Sequence, residues 1–250
     1  MLKIFLTGAS SGIGESMARL YASRGVQLGL VARRGDFLER LANELEPRPA
    51  IYALDVRDAS ALQRAADDFI GKYGIPDIVI ANAGVSRGTL TGMADDLKVF
   101  QEVFDINVMG MVNTFHSFVT PMKQQGKGTL VGIASVAGFR GIPGGGAYSA
   151  SKAAAISYCE SLRVELRGEG IAVVTICPGY IKTPMTAVNK FKMPFLIDVD
   201  EAVVRFARAI DAKTSLTVIP WTMGLAARVL RQLPNWMYDR VFARMPRKPR

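Results

Sequence analysis

The chain carries near its start the stretch Thr7-Gly8-Ala9-Ser10-Ser11-Gly12-Ile13-Gly14, between an apolar run at residues 2–6 and an amphipathic segment that starts at Glu15. This order predicts a strand, a tight turn and the start of a helix. Glycine tolerates the backbone angles of such a turn, and without a Cβ it lets a phosphate approach closely. The N-terminus of the following helix offers free N–H groups to an anion. Although glycine turns also close ordinary strand–helix joins, this stretch indicates a site for a dinucleotide pyrophosphate.

Apolar runs rich in β-branched residues recur along the chain, with helical patterns between them. The predicted strands cover residues 2–6, 27–32, 50–54, 77–82, 129–134, 172–177 and 216–219. Such runs are typical of strands that are buried on both faces of a parallel sheet and joined by right-handed crossovers. The sequence therefore predicts an α/β fold, a Rossmann-like doubly wound parallel sheet of about seven strands with helices on both faces. We expect one domain over residues 1–220, and a C-terminal helical extension over residues 221–250 on or beside it.

Composition is typical of a globular protein with a large core. Apolar residues make up 49% of the chain and charged residues 21%, which excludes an intrinsically disordered protein. The two cysteines, Cys159 and Cys177, lack metal-ligand spacing, so we expect no metal site and a reducing compartment. The first residues do not form a secretory signal pattern, and the expected location is the cytoplasm.

The net charge of +9 is uneven, since residues 236–250 hold five basic residues and one acid, a balance of +4. These residues are Arg240, Arg244, Arg247, Lys248, Arg250 and Asp239. No nucleic-acid-binding motif accompanies the charge, so we expect no nucleic-acid partner. Apolar and aromatic residues alternate with the basic ones, but no uncharged run is long enough to span a bilayer. The extension therefore either packs over the cleft or a second subunit, or makes peripheral contact with an anionic membrane.

Tyr148 and Lys152 are four residues apart at the start of a predicted helix over residues 147–167, so their side chains share one face. An adjacent ammonium favours the phenolate and lowers the pKa of a phenol, which suits it to proton transfer to a carbonyl oxygen. Ser135 ends the fifth predicted strand, where its hydroxyl can hold a substrate oxygen beside the phenol. Asn107 lies within a predicted helix over residues 98–124, although asparagine is a weak helix former. Alone, the tyrosine–lysine pair is more often a solvated helix face.

In chain order, these motifs resemble those of the short-chain dehydrogenase/reductase family over about residues 2–220. The resemblance also includes Asn82-Ala83-Gly84 after the fourth strand and Pro178-Gly179 after the sixth. It implies an oxidoreductase in which Tyr148 is the general acid and Ser135 orients the carbonyl. It further implies that Lys152 lowers the pKa of the phenol and binds the nicotinamide ribose, and that Asn107 supports a water path to solvent.

The motifs, the resemblance and the charges after the second strand together assign the residues that contact the cofactor. They are Gly8, Ser10, Ser11, Gly12, Ile13, Gly14, Arg33, Arg34, Asp55, Val56, Asn82, Ala83, Gly84, Tyr148, Lys152, Pro178, Gly179, Ile181 and Thr183. Arg33 stands after the second strand, where an acid would bind the adenine-ribose hydroxyls of NAD(H). Because an arginine fork binds phosphate well, NADP(H) is the expected cofactor. Asp36, slightly further on, keeps NAD(H) as the less favoured alternative, and the competing interpretation of Arg33 and Arg34 is a solvated pair at the start of a helix.

Residues 183–200 follow the sixth strand and are rich in apolar side chains, so we expect a lid over an apolar site or a surface connection packed by its own side chains. With the apolar extension, this segment favours a small hydrophobic ketone or the matching secondary alcohol as the substrate. The resemblance implies a homodimer or homotetramer that pairs through residues 98–124 and 147–167. Two alternatives stay open: a catalytically silent NADP(H)-binding sensor or scaffold, and a membrane-surface reductase of 3-keto lipids.

Overall fold

The computed structural model describes residues 1–189 and 191–243. The strands are β1 (Lys3–Thr7), β2 (Gln27–Ala32), β3 (Ala50–Ala53), β4 (Ile78–Ala81), β5 (Gly128–Ile133), β6 (Ile171–Pro178), β7 (Ile181–Lys182), β8 (Ile197–Asp198) and β9 (Leu216–Ile219). Seven of them form one parallel sheet in the order β3-β2-β1-β4-β5-β6-β9. All seven predicted strands are confirmed, with ends shifted by at most one residue. The strand order reverses between β1 and β4, where ligands of doubly wound sheets bind.

Helices cover both faces of the sheet, as predicted. They are α1 (Gly12–Ala22), α2 (Gly35–Glu44), α3 (Ala59–Tyr73), α4 (Asp96–Phe104), α5 (Gly110–Gln125), α6 (Gly146–Glu165), α7 (Pro184–Ala187), α8 (Val199–Asp211), α9 (Trp221–Gln232) and α10 (Asn235–Phe242). Buried side chains of α1, α2 and α8 form one core layer with the sheet. Those of α3, α5 and α6 form the other layer.

The packing around β1 shows why the central strands carry apolar residues at successive positions. Phe5 of β1 packs edge-to-face on Phe69 of α3, with ring centres 5.6 Å apart, and its ring centre is 4.7 Å from that of Phe118 of α5. On the opposite face of the same strand, Leu6 joins the layer that contains Met17 of α1. Each such side chain contributes about 1.5–3 kcal/mol when it is fully buried. Because both faces are covered, the successive central residues of β1, Ile4, Phe5 and Leu6, are all apolar.

The helix predicted over residues 98–124 is interrupted. Residues Asp105–Met109 form a π-helical segment that separates α4 from α5. Its wider turns change the direction of the side chains, and Asn107 at its centre is fully buried. A weak α-helix former therefore lies at a position where the chain departs from the α-helix.

The C-terminal part contains two features. Strands β7 and β8 pair in parallel and bring together the ends of the segment predicted as a lid, with α7 between them. Beyond β9, helices α9 and α10 form the predicted helical extension. The basic residues Arg244, Arg247, Lys248 and Arg250 lie outside the described residues. Within the described ranges, no helix is both long enough and apolar enough to cross a membrane.

Candidate active site

The turn between β1 and α1 needs glycine at two positions. Gly12 has a φ of +59°, a left-handed conformation that side chains disfavour. Gly14 lies so close to the turn that a Cβ there would be 2.1 Å from the carbonyl oxygen of Gly8. Ser11, at the N-cap, leaves the first N–H groups of α1 without a side-chain cap. These groups and the helix dipole are suited to an anion at the carboxyl edge of the sheet.

Asn82 joins the ends of β1 and β4. Its side-chain amide donates to the carbonyl oxygens of Thr7, at 3.0 Å, and Gly8, at 3.2 Å. The hydroxyl of Thr7 in turn accepts hydrogen bonds from the backbone N–H groups of Asn82 and Ala83, both at 3.2 Å. The Asn82-Ala83-Gly84 motif thus holds the glycine turn against the neighbouring strand at the point where the strand order reverses.

Ser135, Tyr148 and Lys152 meet at the end of β5 and the start of α6. The Ser135 hydroxyl accepts from the backbone N–H of Ala137 at 3.1 Å and forms a hydrogen bond with the phenol of Tyr148. Lys152 is 4% exposed, and its Nζ donates to the carbonyl oxygen of Ile133 at 2.8 Å. That Nζ lies 5.9 Å from the centre of the Tyr148 ring. A hydroxyl, a phenol and an ammonium therefore converge at one edge of the sheet.

Asn107 supports this group from behind. Its Oδ1 accepts from the backbone N–H of Val85 at 2.8 Å, while its Nδ2 donates to the carbonyl oxygen of Val85 and the hydroxyl of Ser151, both at 3.0 Å. A Cβ on Gly84 would lie 3.2 Å from Asn107 Oδ1 and 3.5 Å from Lys152 Nζ. Asn107 is thus close to the lysine, although it does not itself line the cavity.

One cavity of about 600 Å³ runs along the carboxyl edge of the sheet. It is lined by every residue assigned to the cofactor from the sequence, and by Ser135. Apolar residues that sequence reasoning did not assign to the site also line it, mainly at strand ends: Ala32, Leu54, Val85, Ile106, Ile133 and Ala134. Most of them could have been predicted from the ends of the predicted strands, because the carboxyl ends of parallel strands lie at one edge of the sheet. The size of the cavity and the uncapped N-terminus of α1 fit a dinucleotide.

Burial controls the titration of the tyrosine and the lysine. Removal from water raises the pKa of the Tyr148 phenol, and the hydrogen bond from Ser135 opposes this shift only in part. Burial also lowers the pKa of Lys152 to about 8. The expectation that Lys152 brings the phenol pKa below its ordinary value is wrong for this structure, because desolvation of the phenolate dominates. Both groups are nevertheless held in the protonated form near neutral pH.

Arginines occupy the end of the cavity beside β2. Arg33 is about half exposed, and its Nη1 lies 3.9 Å from Oδ2 of Asp55. Arg57 binds the same carboxylate at 2.7 Å and holds the pKa of Asp55 below its usual range. Arg34 donates to the hydroxyl of Ser10 in the glycine turn at 3.0 Å. Guanidinium groups thus flank the cavity end that β2 and β3 form.

Asp36, the residue on which the NAD(H) alternative depended, does not face the cavity. Its carboxylate pairs with Arg40 one turn further along α2, at 3.5 Å, and both side chains are largely exposed. Asp36 does not line the cavity.

The segment after β6 begins over the cavity. The backbone N–H of Gly179 donates to the carbonyl oxygen of Ile219 at 2.8 Å, which ties the turn to β9. Thr183 caps α7 in a reciprocal arrangement with Thr186. Both threonines and Met185 line the cavity, so the first turn of the predicted lid covers it. Whether residues 183–200 move stays a prediction.

A clamp that the sequence did not indicate joins the loop after Ser135 to the extension. The guanidinium of Arg140 donates to the carbonyl oxygens of Leu230 and Leu233 at the end of α9, the latter at 2.8 Å. It also donates to Asn235 Oδ1 at 3.1 Å and lies 4.0 Å from the centre of the Tyr238 ring. Arg140 therefore caps α9 and binds the start of α10. Nothing in the local sequence around Arg140 signals partners about ninety residues away.

Comparison with known proteins identifies the family. A family model for short chain dehydrogenases matches residues 3–193, and the chain belongs to this family. It is thus an oxidoreductase of the type that transfers hydride with a nicotinamide cofactor. Among the described residues, no group of His, Cys, Asp and Glu is arranged to hold a metal ion.

Three similar proteins illustrate the relationship. An oxidoreductase of Myxococcus xanthus is 37% identical over 243 residues, which covers 96% of each chain. A short-chain dehydrogenase of Streptomyces avermitilis shares the fold with a TM-score of 0.83 at 23% identity, covering 98% of this chain and 99% of that one. An alcohol dehydrogenase of the archaeon Thermococcus sibiricus, solved with 5-hydroxy-NADP, is 28% identical with a TM-score of 0.77, covering 88% of this chain and 96% of that one.

Proposed function

We propose that this protein is an NADP(H)-dependent reductase of a hydrophobic ketone, or equally a dehydrogenase of the matching secondary alcohol. The observation that carries the proposal is the convergence of Tyr148, Ser135 and Lys152 on one side of the cavity. The phenol of Tyr148, the hydroxyl of Ser135 and the ammonium of Lys152 are the groups that proton transfer to a carbonyl oxygen requires. The cofactor, when bound, supplies the hydride.

The chain's own residues position the carbonyl and handle its proton. In this proposal, the hydroxyl of Ser135 and the phenol of Tyr148 hold the carbonyl oxygen with two hydrogen bonds, which fixes its orientation. Tyr148 donates its proton as negative charge develops on that oxygen, and Lys152 stabilises the resulting phenolate electrostatically. The buried position of Lys152 strengthens this effect, because the local dielectric is low. Asn107 is a positioning residue that holds Val85 and Ser151 around the lysine.

The cofactor preference rests on charge. Arg33 and Arg34 line the cavity end beside β2, whereas Asp36 pairs with Arg40 outside it. A guanidinium fork favours a 2′-phosphate, and no acid of α2 lines the cavity to repel it.

The substrate preference rests on the apolar residues that the segment after β6 adds to the cavity lining. Ile181, Pro184 and Met185 line the cavity from the segment after β6, and Phe195 and Leu196 of the same segment are exposed. We infer that this segment closes over an apolar substrate as a lid.

A homodimer or homotetramer belongs to the same proposal. Leu97 and Phe100 of α4, Met109 of the π-helical segment and Val164 of α6 are all exposed apolar side chains. They lie on the helices through which we expect the subunits to pair. Light scattering coupled to size-exclusion chromatography should give a mass of two or four chains, and a strictly monomeric protein would remove this part of the proposal.

A substrate panel tests the function. Short-chain, long-chain and aromatic ketones are supplied with NADPH or NADH, and cofactor absorbance is followed. We expect turnover of apolar ketones, with a higher kcat/KM for NADPH. A preference for NADH contradicts the cofactor assignment. Tight NADPH binding without turnover of any ketone contradicts the proposal and favours a cofactor-binding sensor.

A further inference from the structure

The two C-terminal helices leave an unusual number of large apolar side chains in solvent. Trp221 is 71% exposed and Trp236 is 69% exposed. The other exposed apolar residues of these helices are Leu225, Val229, Met237 and Val241. Single exposed apolar residues are normal on a protein surface, but a group that includes two tryptophans marks an interaction site.

Helix α9 presents its apolar residues as a stripe. Trp221, Leu225 and Val229 are spaced by four residues, so they follow one another along one side of the helix. The buried side of α9 holds Gly224 and Ala227 instead, and the Cβ position of Gly224 meets Val218 of β9. The helix therefore packs through these small residues and the half-buried Met223, and it turns its three most exposed apolar side chains outward, unlike a helix that only covers a core.

Helix α10 also leaves large apolar side chains in solvent, although its inner side is aromatic. Tyr238 is buried, donates its hydroxyl proton to the carbonyl oxygen of Gly141 and stacks on Phe242, with ring centres 4.1 Å apart. This fixes the inner side of α10. Trp236 and Val241 are left on its outer surface.

Basic residues accompany both apolar surfaces. Arg228 of α9 and Arg240 of α10 are exposed, and Asp239 is the only acid from residue 221 to the end of the sequence. That stretch contains seven basic residues in all. A surface with this charge is complementary to an anionic partner. A second copy of the chain would bring the same positive charges together, which opposes self-association through this surface.

We propose that the outer surfaces of α9 and α10 dock on an anionic lipid bilayer, with the helices lying in the plane of the membrane. Trp221 and Trp236 then lie at the level of the headgroups, where indole rings partition, and Arg228 and Arg240 contact lipid phosphates. The twelve residues of α9 and eight of α10 are too few to cross the bilayer. This proposal does not depend on the reaction that the cavity catalyses.

The chain contains its own reporter for this surface, because Trp221 and Trp236 are its only tryptophans. The full-length protein is mixed with vesicles of phosphatidylcholine alone or with added phosphatidylglycerol. With phosphatidylglycerol, we expect the tryptophan emission to shift to shorter wavelength, brominated lipids to quench it, and the protein to float with the vesicles. Added salt should reverse all three effects. Unchanged emission without flotation contradicts the proposal.

Two further comparisons make the test specific. Trp236→Phe leaves only the reporter on α9 and Trp221→Phe only the reporter on α10, and failure of either protein to shift contradicts a surface built from both helices. The double variant Arg228→Gln/Arg240→Gln should bind anionic vesicles about 25-fold more weakly, at about fivefold for each basic residue. Its control, Arg64→Gln/Arg208→Gln, removes the same charge from exposed positions on α3 and α8. Equal losses for the two variants, or an emission shift that follows protein concentration without vesicles, would overturn the proposal.

Discussion

The carboxyl edge of the sheet and the C-terminal helices depart from the usual distribution of side chains in opposite directions. At the sheet edge, polar groups are buried: Asn107 is fully enclosed and Lys152 is 4% exposed. On the helices, apolar groups are exposed, and Trp221 shows 71% of its surface to solvent. Burial of a polar group destabilises a protein unless the group is hydrogen-bonded, whereas covering an exposed apolar group is favourable.

The comparison separates two kinds of site. The sheet edge satisfies its buried polar groups internally, so its geometry exists before any ligand binds and its chemistry depends on burial. The C-terminal helices are attached by packing on Val218 and by polar contacts that include those of Arg140, while their outer side exposes large apolar side chains. We therefore propose a reaction in a fixed geometry for the first region and association for the second.

The largest expected effect lies at the sheet edge. Tyr148→Phe removes only the phenol hydroxyl, so we expect kcat to fall about 10³-fold while NADPH affinity stays nearly unchanged. Steady-state kinetics and a fluorescence titration with NADPH measure the two quantities. Tyr158→Phe, on the same helix, is the control and should retain activity. If Tyr148→Phe keeps more than a few per cent of the activity, Tyr148 is not the general acid.

Burial of Lys152 should appear in the dependence of stability on pH. Its pKa in the folded protein is about 8, compared with 10.5 for a free lysine. Between these values the unfolded chain binds the proton more tightly, so the free energy of unfolding rises with pH. From about pH 7.5 to about pH 10, the wild type should gain about 2 kcal/mol relative to Lys152→Met. Urea unfolding at both values measures this, and a constant difference would show that burial does not lower the pKa.

A smaller effect is expected at Arg140, which joins the loop after Ser135 to the C-terminal helices. Arg140→Met removes the cap of α9 and the contacts with α10, and we expect the free energy of unfolding to fall by about 2 kcal/mol. Proteolysis within residues 221–243 should become faster, since the helices lose their main polar attachment to the loop after Ser135. The control is Arg163→Met, an exposed position on α6. Indistinguishable stability of the two variants would show that packing alone holds the extension.

The smallest effect concerns cofactor choice at the exposed end of the cavity. Because Arg33 is half exposed, its loss should remove only part of the binding free energy that a buried charge-assisted hydrogen bond contributes. We expect Arg33→Ser to raise KM for NADPH about tenfold and to leave KM for NADH unchanged. Arg64→Ser, remote from the cavity, controls for the loss of charge. Equal changes for both cofactors would mean that Arg33 does not bind the 2′-phosphate.

Local sequence patterns predicted much of the fold and several residues of the candidate site. Continuous apolar runs predicted all seven strands of the sheet, because burial on both faces requires apolar residues at successive positions, although the edge strands β3 and β9 are only partly buried. Gly12 and Gly14 marked a turn whose backbone admits little else. The spacing of Tyr148 and Lys152 placed them on one helix face. Each of these inferences depends on residues that are close in the sequence.

Other features had no local signal. The hydrogen bonds from Asn107 to Val85 and Ser151 connect residues 22 and 44 positions apart. Those from Arg140 to the end of α9 span 90 or more positions. The direction of the Tyr148 pKa shift was predicted wrongly, since the spacing to Lys152 indicates a nearby charge but does not measure the loss of water.

By itself, the sequence determined where the strands and helices lie, which turn can admit a phosphate and which side chains share a helix face, because periodicity and backbone requirements are local properties. Only the tertiary structure decided how deeply Tyr148 and Lys152 are buried, which groups Arg140 caps and which side of α9 faces outward. Those properties depend on which distant segments exclude water from a given atom, and that follows from packing.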